Sequence, residues 1–207
     1  MYPVVYEADY VERRSRLSTF FRLILAIPWL VVAIFWGLVA FVCVVVAWFA
    51  IVFTGRYPEP LYNGVSMALR FATRMNGFVL LMTDAFPPFG GEESPEYPVR
   101  LRIAPPLEHY SRVKTLLRIV LVIPIVIVLY FVQIVSRAIS VLAWLVIVIT
   151  GKLPRGIYDV MRFTLAYEAR ASAYQLLVTE TYPPFSPDDD GAPAASAAPP
   201  AAPPLAN

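Results

Sequence analysis

The chain is 207 residues long, 58% of them apolar and only 15% charged, with a mean hydropathy of +0.63 and a formal net charge of +2. Soluble domains run near ~45–50% apolar and ~25% charged, so an ordinary water-soluble globule is excluded, and so is a wholly disordered chain. The near-balanced charge supplies no basic field, and no nucleic-acid partner is expected.

Residues 4–10 alternate apolar and polar side chains, the pattern of a short strand. A polar, basic helix start follows at residues 15–22, and then residues 23–55 run without a single charge. Thr54-Gly55-Arg56-Tyr57-Pro58 ends that run as a helix stop: a glycine suited to the left-handed position, a cation at the negative helix end and a proline beyond. The next segment is amphipathic. At helical spacing Asn63, Ser66, Arg70, Thr73, Arg74 and Gly77 share one arc, and Val65, Ala68, Phe71, Ala72, Met75 and Val79 lie opposite. Such a helix is expected to lie in a membrane interface with its basic face on headgroups. The unit closes on Thr83-Asp84 and the aromatic run Phe86-Pro87-Pro88-Phe89, expected at interface level.

The same series then repeats. Residues 12–89 align with 108–185 at a constant offset of 96 without gaps, and 28 of the 78 positions are identical. Ser15-Arg16 recurs as Ser111-Arg112, Arg22 as Arg118, Ile27-Pro28 as Ile123-Pro124, Ala47-Trp48 as Ala143-Trp144, and Pro87-Pro88-Phe89 as Pro183-Pro184-Phe185. The second strand is expected at 99–103, with a small two-stranded patch between the copies. The chain therefore divides into a membrane repeat at 1–89, a polar linker at 90–96, a second membrane repeat at 97–185, and a Pro/Ala-rich tail at 186–207 expected to be disordered.

The predicted fold class is a mainly α membrane protein of two tandem repeats. Each has a long apolar helical hairpin (or one long tilted helix), an amphipathic interfacial helix, and a short strand at its start. Length alone leaves the apolar runs open: 33 residues exceed the ~20 of one crossing and fall short of the ~40 of two. Charge placement favours hairpins, which put 16 of the 17 Lys and Arg residues on one face. Gly37 in the first run, and Gln133, Ser136, Arg137 and Ser140 in the second, then mark the turns. The rival keeps each run as one tilted pass with the following segment returning, which buries Arg70, Arg74, Arg162 and Arg170 at ~2.5–3.5 kcal/mol each. Either arrangement places the protein in the plasma membrane as a multi-pass protein, with the termini and linker cytoplasmic. No secretory signal is visible.

Few residues carry chemistry. Cys43 reads as a small buried hydrophobe and His109 lies in a polar stretch, so neither builds a metal or nucleophilic site. Arg56, Arg70, Arg74, Lys152, Arg162 and Arg170 are candidate contacts for anionic lipid headgroups. Gln133 and Arg137 are the polar residues inside a run, and Glu168 is expected to meet a protein partner rather than lipid. Asp84 and Glu180 recur near Arg16/Arg112 and Arg74/Arg170 and are expected to form intramolecular ion pairs. No catalytic motif and no cofactor are expected.

The series Tyr-Pro, Ser-Arg, Ile-Pro, Ala-Trp, Thr-Gly-Arg-x-Pro and Thr-Asp-x-Phe-Pro-Pro-Phe resembles the bacterial membrane family catalogued as domain of unknown function 4389, frequent in actinobacteria. The second copy departs from it at Lys152, Leu153 and Glu180. The resemblance implies an integral membrane protein and brings no activity. Three roles follow: a non-enzymatic scaffold or accessory protein with a protein partner or a second copy of itself; a small transporter or channel built from a duplicated unit; and a lipid-acting membrane enzyme.

Overall fold

The computed structural model describes residues 2–185; the tail read as disordered lies outside them. The chain runs β1 (Val4–Ala8), α1 (Arg16–Phe20), α2 (Arg22–Leu25), α3 (Ile27–Thr54), α4 (Glu59–Val79), β2 (Val99–Ile103), α5 (Arg112–Leu116), α6 (Arg118–Thr150) and α7 (Arg155–Gln175). It is mainly helical, and each repeat holds one short strand and one long apolar helix. The two strands pair antiparallel, with Val4 opposite Ile103 and Ala8 opposite Val99, as the expected patch between the copies.

The apolar runs are not hairpins. α3 and α6 are unbroken helices of 28 and 33 residues, about 42 and 50 Å long at 1.5 Å per residue. Of the polar residues read as a turn in α6, Ser136 and Ser140 lie instead on its packing side, Gln133 is half-buried and Arg137 is exposed. Ser136 and Ser140 are buried, and the Ser140 hydroxyl donates to the Ser136 carbonyl at 2.8 Å, one turn back in the same helix. Gly37 sits within α3 with open space where a side chain would be. A helix that satisfies its own backbone and turns its polar side chains toward a neighbour has no reason to break. Both helices stop at the predicted glycines: Gly55 and Gly151 adopt φ of +74° and +73°. By length and composition both are capable of crossing a membrane.

The elements stack in three layers. β1 and β2 form the first. α4 and α7 form the second, and each is covered on two opposite faces. Tyr62, Val65 and Leu69 of α4, and Tyr158, Met161 and Leu165 of α7, pack in one core with Val4, Tyr6, Val99 and Leu101 of the ribbon. The other side of α4, with Phe71, Met75 and Phe78, packs on Trp29, Val32 and Trp36 of α3. The other side of α7, with Tyr167, Ala171 and Tyr174, packs on Ile125 and Leu129 of α6. Gly77 is where β2 comes close to α4: a Cβ there would meet Val99 at 2.9 Å. The interfacial helix expected from the sequence is therefore corrected. The polar arc of α4 lies under protein, and Ser66, Thr73 and Arg74 are buried.

α3 and α6 make the third layer. Val44, Val45 and Trp48 of α3 meet Ile119 and Val122 of α6 around one pocket, and Leu23, just before α3, meets Val141 and Trp144 of α6 around another. The start of α6 thus lies by the C-terminal half of α3, and the chain just before α3 lies by the C-terminal half of α6, so the two long helices run in opposite directions across the two pockets. Each buries one narrow stripe, such as Ala40, Ala47 and Ile51 on α3 and Ile125, Ser136, Ala143 and Ile147 on α6. The opposite half of each helix is exposed and apolar, including Ile27, Val31, Ile34 and Leu38 on α3 and Ile127, Ile134, Val141 and Leu145 on α6. These faces point away from the ribbon.

The two repeats exchange their starts. The Tyr110 N–H donates to the Gly55 carbonyl and the Arg14 N–H to the Gly151 carbonyl, both at 2.9 Å. The Trp48 indole donates to Thr115 and the Trp144 indole to Thr19, at 3.0 and 3.1 Å. Tyr62 and Tyr158 donate their hydroxyls to Ala104 and Ala8 at 2.5 and 2.6 Å. Every one of these bonds runs between repeats and has its twin, so the molecule is a pseudo-twofold assembly of two interlocked copies.

Candidate functional site: the apolar face and its two pockets

The exposed side of the α3/α6 layer is the largest feature that the core leaves unexplained. Monomeric soluble proteins rarely expose contiguous apolar patches beyond a few hundred Å², and two half-helix faces exceed that. Aromatic residues ring its edge. Trp29 stacks on both Phe86 and Phe89 with ring centroids 5.1 Å away, and its indole donates to the Pro87 carbonyl at 2.6 Å. In the second repeat Tyr167 stacks on Phe185 at 4.4 Å, and Tyr174 meets Tyr182 edge-on. Phe86, Phe89, Tyr182 and Phe185 are about half exposed.

Polar groups run alongside the middle of α3 rather than beyond its ends. Trp36, near the midpoint of the apolar run, lies 6.4 Å from Phe71 and donates its indole N–H to Phe89 at 3.0 Å. Next to it the linker carries Glu93, 65% exposed, which takes a salt bridge from Arg70 at 2.7 Å. The ribbon above carries Arg100, bound to Asp9 at 2.8 Å and to Glu7 at 3.2 Å, and the exposed Arg102. The hydrogen bonds that Arg100 donates to the Asp9 carboxylate hold its guanidinium above its ordinary range, against a smaller loss from burial.

The candidate headgroup cations divide. Arg56 and Lys152 are exposed at the ends of α3 and α6, and Lys152 pairs with Glu12 at 2.9 Å. Arg74 and Arg170 are corrected: both are buried. Arg74 donates to the carbonyls of Gly90 and Glu92, and Arg170 lies among Tyr2, Pro184 and their neighbours. Arg70 and Arg162 are half-buried.

Asp84 forms its ion pair with Arg22, at 2.5 Å, and not with Arg16 or Arg74. It also accepts the Ser15 N–H at 2.9 Å. Glu180 accepts the equivalent Ser111 N–H at 2.7 Å, but its other oxygen lies 4.0 Å from Lys114. Arg22 and Arg118 were missed by sequence reasoning, although their identity in both copies was the available signal. Each donates to a backbone carbonyl: Arg22 to Thr83 at 2.9 Å and Arg118 to Thr179 at 2.8 Å. Each also stacks on an aromatic ring, Arg22 on Phe78 at 4.3 Å and Arg118 on Tyr174 at 3.8 Å.

These two arginines line two equivalent pockets that open on the apolar face. The first, about 480 Å³, includes Phe20, Arg22, Leu23, Arg137, Ser140 and Trp144. The second, about 470 Å³, includes Val44, Val45, Trp48, Arg118, Ile119 and Gln175. Arg137 is exposed at the rim of the first. Gln133 points elsewhere, into a cavity of about 60 Å³ between α4, α6 and α7 that it shares with Tyr6, Asn76 and Glu168. Glu168 is buried within the chain itself rather than presented to a partner. Burial pushes its carboxyl up to about 7, while the adjacent Ser136 hydroxyl and Arg137 guanidinium pull part of the way back. Among the described residues no three His, Cys, Asp or Glu side chains come together to hold a metal ion.

No curated protein and no solved structure matches the chain. The model of one family, the domain of unknown function 4389, matches residues 16–90 and again residues 112–186. The chain thus belongs to that family as two tandem copies, the same two units that interlock through their exchanged starts.

Proposed function

We propose that this protein is a non-enzymatic scaffold or accessory protein of the bilayer, seated in one leaflet with α3 and α6 lying in the membrane plane. The observation that carries this reading is the layer order. The apolar halves of both long helices face one way, and the charged ribbon faces the other. A crossing helix would put the middle of α3 at the bilayer centre. Glu93, Arg70 and the ribbon would then lie at hydrocarbon depth with exposed charges, each at ~2.5–3.5 kcal/mol on the insertion scale. In-plane seating sinks the α3/α6 layer ~5–10 Å, as amphipathic surface helices do, and leaves the exposed charges of the ribbon and linker in water. It puts Arg137, the exposed charge in the middle of α6, at the lipid boundary, where its long side chain reaches the headgroups. The aromatic rim then sits at headgroup level, where such rings favour residence.

Seating in one leaflet replaces the multi-pass arrangement expected from length. It keeps the N-terminal strand, linker and ribbon on one side, and the positive-inside rule supports the cytoplasm as that side. Arg56, at the end of α3, reaches the anionic surface of that leaflet. The volume added to one leaflet makes the protein a wedge, and the ribbon face is the part left free for a protein partner.

Two single-cysteine variants in a Cys43→Ser background test the seating. Arg13→Cys lies before α3 and Arg56→Cys lies at its end. In-plane seating has an impermeant maleimide label both from the same side of a sealed vesicle. Labelling from opposite sides overturns it and points to a crossing oligomer with polar faces turned inward, the arrangement a transporter needs.

A further inference from the structure

We propose that the pocket between α3 and the start of α6 binds a long-chain fatty acid, with its carboxylate on Arg118 and Gln175 and its chain along Val44, Val45, Trp48 and Ile119. The duplication gives the molecule two corresponding pockets. They share most of their lining positions, Arg22, Leu23, Val79 and Trp144 of the first answering to Arg118, Ile119, Gln175 and Trp48 of the second, and have nearly the same volume, which falls in the ~300–1,000 Å³ range of small-molecule sites. In the first, Arg22 is neutralised by Asp84 at 2.5 Å. In the second, the longer Glu180 side chain is held by the Ser111 N–H and turns toward Lys114. Among the described residues no carboxylate lies within 4 Å of the Arg118 guanidinium, although Arg118 is only 5% exposed.

A buried cation without a counter-charge carries a desolvation cost that an anion relieves. A second donor stands beside it. Gln175 occupies the position of Val79 in the first repeat, and its buried side-chain nitrogen has no acceptor in the protein; neither has Nε of Arg118. Guanidinium and amide N–H groups facing an otherwise apolar pocket match a planar carboxylate on an alkyl chain. The mouth is formed by Val45, Phe49 and Ile119, all on the apolar face. A chain therefore enters from the lipid side, and this route, though not the site itself, rests on the seating proposed above.

The test uses the full chain in a nonionic detergent, where binding does not depend on seating. Dibromostearic acid should quench tryptophan fluorescence saturably, and Trp48→Phe should remove that quenching while Trp144→Phe, in the twin pocket, leaves it. Arg118→Leu should weaken binding by about tenfold or more, and Gln175→Leu by a smaller factor, consistent with loss of charge-assisted and neutral hydrogen bonds respectively. Gln175→Leu keeps the test decisive if Arg118→Leu does not fold. Equal quenching by the brominated methyl ester, no saturable quenching, or quenching unchanged by Trp48→Phe overturns the proposal. Competition by phosphatidylglycerol at the same concentration as by oleate also overturns it, because the occupant is then a phospholipid.

Discussion

The two repeats share a backbone and differ in where they put charge. Leu81 and Leu177 hold the same left-handed conformation after α4 and α7, with φ of 68° and 63°, so even an unfavourable local geometry is kept in both. At the buried guanidinium the copies part. Repeat 1 joins Arg22 to Asp84, whereas repeat 2 leaves Arg118 with a ring and a carbonyl. On the second and third layers they part again. Ala72 of α4 corresponds to Glu168 of α7, and Phe41 of α3 corresponds to Arg137 of α6. The exchange runs both ways, since Arg70 and Thr73 of α4 correspond to Ala166 and Ala169 of α7. Symmetric contacts therefore maintain the fold, and the asymmetric ones are where a specific role can reside.

The largest expected effect separates the two arginines. Arg22→Met strips Asp84 of its partner and should cost about 3 kcal/mol or more, as breaking buried ion pairs does. Arg118→Met removes a cation that has no carboxylate and should stay within about 1 kcal/mol of the parent. Thermal unfolding in detergent, followed by circular dichroism, checks both; equal losses would erase the distinction.

Glu168 comes next. Its folded carboxyl titrates near 7, against 4.5 for an unperturbed glutamate. The folded state holds the proton more tightly than the unfolded chain, so Glu168 opposes folding above that value. The penalty fades as pH falls from 7 toward 4.5. Between pH 8 and 5 the parent should gain stability relative to Glu168→Gln, on the order of 3 kcal/mol. A parent and variant with parallel pH profiles would show that Glu168 is not the source.

Smaller effects probe the ribbon and the exchanged starts. Gly77→Ala would push a Cβ into Val99 and should cost about 1–2 kcal/mol, as overpacking does. Ala173→Gly at the equivalent site of repeat 2 should also destabilise, by about 1 kcal/mol, because it adds helix entropy and removes contact. Trp48→Phe and Trp144→Phe should each cost about 1 kcal/mol for one lost hydrogen bond. Their equality is the sharper measurement, since interlocked repeats make the two bonds equivalent.

Much of this fold was legible in the chain itself. The offset of 96, the glycine stops at Gly55 and Gly151, the two strands and the long apolar helices all rest on local signals: residue identity, spacing, and the conformational preferences of glycine and proline. The pairing of Asp84 with Arg22 was less legible, because a residue 62 positions away in the chain competes with nearer arginines and only packing selects among them. The hairpin reading failed for a related reason. Ser136 and Ser140 look like turn residues by type, but their role is set by the helix they face.

What the sequence alone determined is that two equal units must bury long apolar helices, because water cannot solvate that surface. What only the tertiary structure decided is direction. Placing α4 and α7 between the ribbon and the long helices leaves the apolar halves of α3 and α6 uncovered on one side and the ion pairs of the ribbon and linker on the other, with Arg137 the exception at the rim of a pocket. Periodicity within one helix fixes which side of it is apolar, but not which way that side points once the helices are stacked.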